Sequence, residues 1–299
     1  MKRTLLVFLL LSISCKLFAQ PAGLDKVQIK TTHITGMVYM LEGSGGNIGV
    51  FAGDHGVILV DDQFAALSEK IAAAVKSISN QPIEFIIKTH LYGDHVGGNE
   101  NFRSMGVKVV AHDLVHERLK SRTVDRKTGK LGRGAPNSAL PDLTYNGTLT
   151  FHYNGETIRV IKMHKAHTDG DSIVHFTDSN VIHAGDVFRT TTYPVIDLNH
   201  GGTFQGTLDT LAYIIELANE DTVIIPGHGV PSSKQDVIKW RKMLTTISSR
   251  IQQSVDTGDK LEEALVRNPG LEFNDRWAAP QGWASTKTFM TTIYNELSE

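Results

Sequence analysis

The tightest constraint on this chain is a set of short apolar runs, each ending in a metal-capable side chain beside glycine. Ile86-Ile87 leads through Lys88-Thr89 into His90-Leu91-Tyr92-Gly93-Asp94-His95. Residues 160–163 lead to His164 and then to His167-Thr168-Asp169-Gly170-Asp171. Residues 181–185 deliver Asp186, and residues 223–227 deliver His228 with Gly229 behind it. Brief aliphatic runs closed by turn residues read as buried strands, and further strands are expected at 56–60, 107–110, 148–153 and 172–176. Helical spacing separates them at residues 64–78, 114–122, 207–218, 235–254, 261–266 and 285–297. Strands alternating with helices imply an α/β layered fold, in which ligands collect beyond the carboxyl ends of the strands. The strand-end ligands are therefore expected to converge on one point. No interior Pro/Gly/Ser-rich linker divides the chain, so residues 20–299 are read as one domain.

The residue types suit zinc, which takes imidazole and carboxylate where no thiolate is at hand and keeps a catalytic position for water. A single histidine after a strand is usually a packed or solvent-facing side chain. An ordered series of them at strand ends, with glycine beside each, is better explained by a metal centre. The formal net charge of −2, with no Lys/Arg-rich stripe, argues against nucleic acid and against an anionic membrane surface. What remains is a small-molecule partner. His33, His55, His112, His116, His152, His175 and His183 are read as structural or surface histidines.

The N-terminus has the layout of a secretory signal peptide: Lys2 and Arg3, an apolar run at residues 5–11, then Leu17-Phe18-Ala19. Cleavage is expected after Ala19, which sends the protein to the periplasm or the exterior and removes Cys15, the only cysteine. The apolar run is shorter than the roughly 20 residues a membrane-spanning helix needs. Lipid attachment at Cys15 is the other option and would anchor the protein, but Ser12 stands where lipoprotein signals place Leu. Residues 123–141 are polar, basic and without period, and are read as either a solvated loop or a flap over the site.

The motif His90-x-x-x-Asp94-His95, with His167, Gly185-Asp186 and Pro226-Gly227-His228-Gly229, resembles the metallo-β-lactamase superfamily from about residue 36 to 229. That resemblance implies a four-layer αββα sandwich with zinc between the sheets. It implies one metal on His90 and His167 and another on Asp94, His95 and His228. Asp186 would bridge them as in the glyoxalase II-like branch, and Asp61 would stand behind the ligands. The sequence departs from the family's His-x-His-x-Asp-His at Tyr92. A neutral phenol is a poor zinc ligand, with a reference pKa of about 10, so the expectation is a weakened first metal and an intact second.

The expected chemistry is hydrolysis of an ester- or amide-type bond, a β-lactam or a lactone, by metal-activated hydroxide, with Asp94 orienting the hydroxide and moving its proton. Arg189 and Tyr193 are candidate substrate-binding residues, and His200-Gly201-Gly202 is a candidate turn at the cleft mouth. Thr168, Asp171 and Ser172 are candidates for hydrogen bonds to the ligands, and His164 is either a ligand partner or exposed. The competing reading is a degenerate metal-binding protein disabled by Tyr92.

Overall fold

Alternation along each strand sorts side chains onto two faces, and in central strands such as residues 56–60 and 172–176 both faces are buried, so each must be covered. A computed structural model describes residues 22–121, 133–281 and 284–299. Its first half runs β1 (Lys30–Thr35), β2 (Val38–Glu42), β3 (Ile48–Gly53), β4 (Gly56–Val60), α1 (Ser68–Ile78), β5 (Ile83–Ile87), α2 (Gly93–Val96), α3 (Asn99–Ser104), β6 (Lys108–His112), α4 (Asp113–Lys120) and β7 (Leu143–Tyr145). The second half runs β8 (Thr148–Tyr153), β9 (Glu156–Lys162), β10 (Ser172–Phe176), β11 (Val181–His183), α5 (Phe204–Leu217), β12 (Val223–Ile225), β13 (Ser232–Ser233), α6 (Lys234–Asp256), α7 (Leu261–Val266), α8 (Asn274–Trp277) and α9 (Thr286–Leu297).

The strands form a seven-stranded sheet in the order β1 to β7 and a six-stranded sheet in the order β13-β12-β11-β10-β9-β8. In the first sheet an antiparallel meander, β1 to β4, gives way to parallel pairing of β4, β5, β6 and β7. The second is antiparallel except for the β11–β12 pair. Side chains of β4 show how the layers are built. Ile58 and Val60 face the second sheet and meet Val160, Val174, Phe176 and Ile225. Val57 and Leu59 face outward and meet Leu67, Ile71 and Val75, the last two from α1. On the far side, Ile161, Ile173, Ile182 and Ile224 pack under Leu211 and Ile214 of α5, Trp240, Leu244 and Ile247 of α6, and Phe289 and Ile293 of α9. Helices, sheet, sheet, helices: this is the αββα sandwich.

Local chemistry sets the boundaries that periodicity misplaced. Helix α5 begins at Phe204, before the expected residue 207, because Thr203 Oγ1 accepts from Gly206 N at 2.9 Å. Helix α6 extends past both expected ends and starts on a Ser233/Asp236 capping box. Short helices α2 and α3 lack enough turns to show a period and were not foreseen. Among the described residues no helix is long and apolar enough to cross a membrane. The signal-peptide reading, Cys15 included, lies outside the described residues, as do residues 122–132 of the segment read as loop or flap. The described remainder of that segment turns back onto α4, with Ala135 N donating to Leu119 O at 2.7 Å.

Candidate metal centre

Directly after strand β4 comes Asp61, which takes a left-handed φ of 67°. A non-glycine residue in that region is strained and invites a functional explanation. Its buried carboxylate accepts from Thr89 N at 2.9 Å and from Thr89 Oγ1 and His95 Nδ1, each at 2.7 Å. One side chain thus ties the end of β5 to the start of α2, and positions two histidines.

Each of three ring orientations follows from a hydrogen bond. His95 Nδ1 faces a carboxylate and His167 Nδ1 faces Val195 O at 2.7 Å, so both nitrogens must carry the proton. Thr89 Oγ1 gives its hydrogen to Asp61, so at 2.9 Å it accepts from His90 Nδ1. All three histidines therefore use Nδ1 as the donor to protein and turn Nε2 to the same place, the orientation a metal ligand needs. His90 Nε2 and His167 Nε2 are buried without a hydrogen-bond partner among the described residues, a costly arrangement for a site holding only protein. One ligand atom each of His90, His167 and Asp186 lies within 4.8 Å of the others, and the same holds for Asp94, His95 and His228. His95 Nε2 and His228 Nε2 each approach Asp186 Oδ1 to 3.3 Å, so Asp186 joins the two groups. These residues fit a centre of one or two divalent cations.

The electrostatics point the same way. Burial would depress His95, but the carboxylates of Asp186, Asp94 and Asp61 outweigh it and hold the imidazole well above its ordinary value. A proton is held where a cation would be favoured. Burial keeps His90 neutral and well below the usual imidazole value, helped by the neighbouring His95. Burial alone would raise Asp94, but His95 and His228 pull it below the carboxylate range.

Two close packings permit this convergence. A Cβ on Gly46, in the β2–β3 loop, would sit 2.0 Å from His95 Cε1, and one on Gly227 would sit 2.0 Å from Asp186 Oδ1. Asn47 holds the His228 turn, its Nδ2 donating to Pro226 O and Gly229 O at 2.9 Å each. Below His95, Lys88 Nζ pairs with Asp62 at 2.6 Å and donates to His95 O at 3.0 Å, with both side chains fully buried. None of these supports stood out in the sequence. The Gly43-Ser44-Gly45-Gly46 run was the available signal.

Tyr92 stands beside the candidate ligands with its hydroxyl engaged by another residue. Its ring lies 4.5 Å from the His167 ring and 5.3 Å from the His90 ring, while its hydroxyl donates to Asp197 Oδ2 at 2.7 Å. Burial, then the Asp197 charge, raises the phenol above its ordinary value, so it stays protonated. Asp197 also receives His200 Nδ1 at 2.5 Å and Asn199 N at 3.0 Å. Burial would raise its pKa, but the bonds from His200 and Tyr92 hold it below the carboxylate range.

A cleft of about 500 Å³ opens over the centre, with Asp94, Asp186, Arg189, His200 and His228 among its polar lining and Leu91, Val195 and Ala284 among its apolar lining. Arg189 Nη1 lies 3.8 Å from Asp186 Oδ2. Tyr193 is absent from this lining. It is fully buried, stacked on Phe289 at 4.9 Å, and its hydroxyl donates to Asn274 Oδ1 at 2.9 Å, which makes it a core residue. Thr168 and Asp171 bond each other, and Ser172 Oγ accepts from Tyr145, so the ligands' partners are Asp61, Thr89 and the Val195 carbonyl instead. His164 is exposed.

A family profile described as the metallo-beta-lactamase superfamily matches residues 41–228. The linear primary-alkylsulfatase of Pseudomonas sp. (strain ATCC 19151) is 22% identical over 219 residues, 62% of this chain, and the chain spans 42% of that relative's length. A metallo-beta-lactamase from Pontibacter korlensis superposes with a TM-score of 0.60 at 17% identity, covering 73% of this chain and 99% of that one. The DIM-1 metallo-beta-lactamase gives a TM-score of 0.60 at 14% identity, covering 74% and 99%. At these identities the solved structures speak to the fold, and the four layers agree with it.

Proposed function

The chain belongs to the metallo-beta-lactamase superfamily, and from that premise we propose that it is an exported zinc-dependent hydrolase of a small ester- or amide-type substrate, a β-lactam or a lactone. Members of the superfamily are metal-dependent hydrolases. The observation that carries the reading is the pair of buried, unpartnered imidazole atoms, His90 Nε2 and His167 Nε2, gathered with the buried Asp186 carboxylate beneath an open cleft.

His90, His167 and Asp186 would hold one ion, and Asp94, His95 and His228, with Asp186 shared, would hold the other. The second set has one more ligand and one more carboxylate. Tyr92 is left out of the first set because its hydroxyl keeps its proton, donated to Asp197, and a neutral phenol is a poor zinc ligand. The first ion is therefore the weaker. A bound divalent ion supplies Lewis acidity toward the scissile group and acidifies water. Asp94 accepts the proton of the attacking water, its carboxylate being partly open to the cleft and held in place by His228 Nε2 at 3.3 Å. Arg189 offers the substrate a cation at the mouth.

A sulfate ester is the second substrate reading. It is favoured by the match to an alkylsulfatase and by the apolar wall of Leu91, Val195 and Ala284 beside Arg189. Assay of the zinc-loaded protein against β-lactam, lactone, thioester, phosphodiester and sulfate-ester reporters tests the proposal. Turnover that chelation abolishes supports it. No turnover on any reporter, by a chain that binds zinc, would instead favour a degenerate metal-binding protein.

A further inference from the structure

Hydrolysis needs a proton acceptor for water and a proton donor for the departing atom, and Asp94 supplies only the first. The cleft contains one more histidine outside the ligand groups, His200. Its Nδ1 lies 2.5 Å from Asp197 Oδ2, so Nδ1 carries a proton and the ring is held by a buried carboxylate. Its Nε2 has no protein partner among the described residues, while the side chain remains 24% exposed at the cleft. Asp197 is itself fixed from several directions. It accepts from Tyr92 Oη at 2.7 Å, and its backbone N donates to His167 O at 2.9 Å. His200 thus reaches the cleft from the His167 side, whereas Asp94 reaches it from the His228 side, where their atoms are 3.3 Å apart.

We propose that the Asp197–His200 pair delivers the leaving-group proton, with Tyr92 as the group that holds Asp197 in place. The inference rests on the hydrolytic reading above. As water oxygen bonds to the scissile carbon or sulfur, its proton passes to Asp94. The bond to the departing atom breaks with its electron pair on that atom, and a proton that solvent has delivered to His200 Nε2 through the open cleft moves to it. Asp94 then loses its proton to solvent and His200 regains one through the open cleft, so the balance is substrate plus water giving acid plus alcohol or amine. Tyr92 in this account is a positioning residue that gains a role at the place where the family carries a ligand.

The test is a leaving-group series on one acyl or sulfuryl unit, from nitrophenolate, which departs without a proton, to alkoxide, which needs one. His200→Gln is expected to lower kcat/KM for the alkoxide substrate by about 100-fold or more, and that for the nitrophenyl substrate by less than about 3-fold. Zinc content should be unchanged. Activity on the nitrophenyl substrate doubles as the check on folding, and Asp197→Asn is expected to shift the series in the same direction. Equal losses across the series, in either variant, would make the pair structural and overturn the proposal. So would an unchanged alkoxide rate in His200→Gln. If the native chain hydrolyses no member of any series, the hydrolytic reading fails and this inference falls with it.

Discussion

Removing the Tyr92 oxygen separates two accounts of the altered ligand position, because they predict opposite losses. In the structure the hydroxyl has one partner, Asp197, at 2.7 Å. A hydrogen bond to a charged group contributes about 1.5–3 kcal/mol. Asp197 keeps His200 Nδ1 and the Asn199 amide, so Tyr92→Phe is expected to cost about 1–2 kcal/mol, at or just below the lower end. At about 2–4 °C per kcal/mol for a chain of this class, the melting midpoint should fall by about 2–8 °C. Zinc binding should not change. Zinc at a hundred times its dissociation constant adds about 2.7 kcal/mol to the native protein, and the same increment should appear in Tyr92→Phe. The assay is a pair of thermal melts, metal-free and zinc-loaded, with a chelator competition for each ion. If the variant keeps its metal-free stability but loses about 10-fold or more in affinity for an ion, the phenol is a ligand and the argument from its geometry is wrong.

Other perturbations probe the supports of the centre. Tyr92→His restores an imidazole at the altered position and should tighten the weaker ion by about 10-fold or more, read by the same competition. Asp61→Asn exchanges a carboxylate for an amide against His95 Nδ1 and Thr89, and should weaken zinc by about 10–100-fold while the far-ultraviolet spectrum stays native. Gly227→Ala drives a methyl to within 2.0 Å of Asp186 Oδ1, so the bridging carboxylate must move, and both ions should weaken together in a zinc titration. Lys88→Met leaves Asp62 buried without its cation and should cost about 3–5 kcal/mol in urea unfolding; a loss below about 1 kcal/mol would show that the pair is not what holds the His95 turn.

Strand ends made the candidate ligand set legible. His90, Asp94, His95, His167, Asp186 and His228 each lie in a turn that follows an apolar run and contains glycine, and short-range pattern is enough to see that. The order of strands along the chain likewise displayed α/β layering. The pairing of two sheets face to face came only through the family resemblance. What pattern could not show was which distant groups meet. Asp197 lies 105 residues from Tyr92, and no periodicity links them. Gly46 is read locally as a flexible turn, yet its importance is the absence of a Cβ against His95. Tyr193 sits in an irregular polar stretch that suggested the cleft mouth, and only the packing of Phe289 and Asn274 from the C-terminal helices makes it core. The same region lies beyond the residues matched by the family profile and contributes Ala284 to the cleft.

The most direct test of the account is a zinc titration of the metal-free protein, with competing chelator and elemental analysis at each step. Unequal ligand sets, Asp94, His95, His228 and shared Asp186 against His90, His167 and shared Asp186, predict one ion held tightly and a second held at least about 10-fold more weakly. Two ions of equal affinity, or no retained zinc, would contradict it.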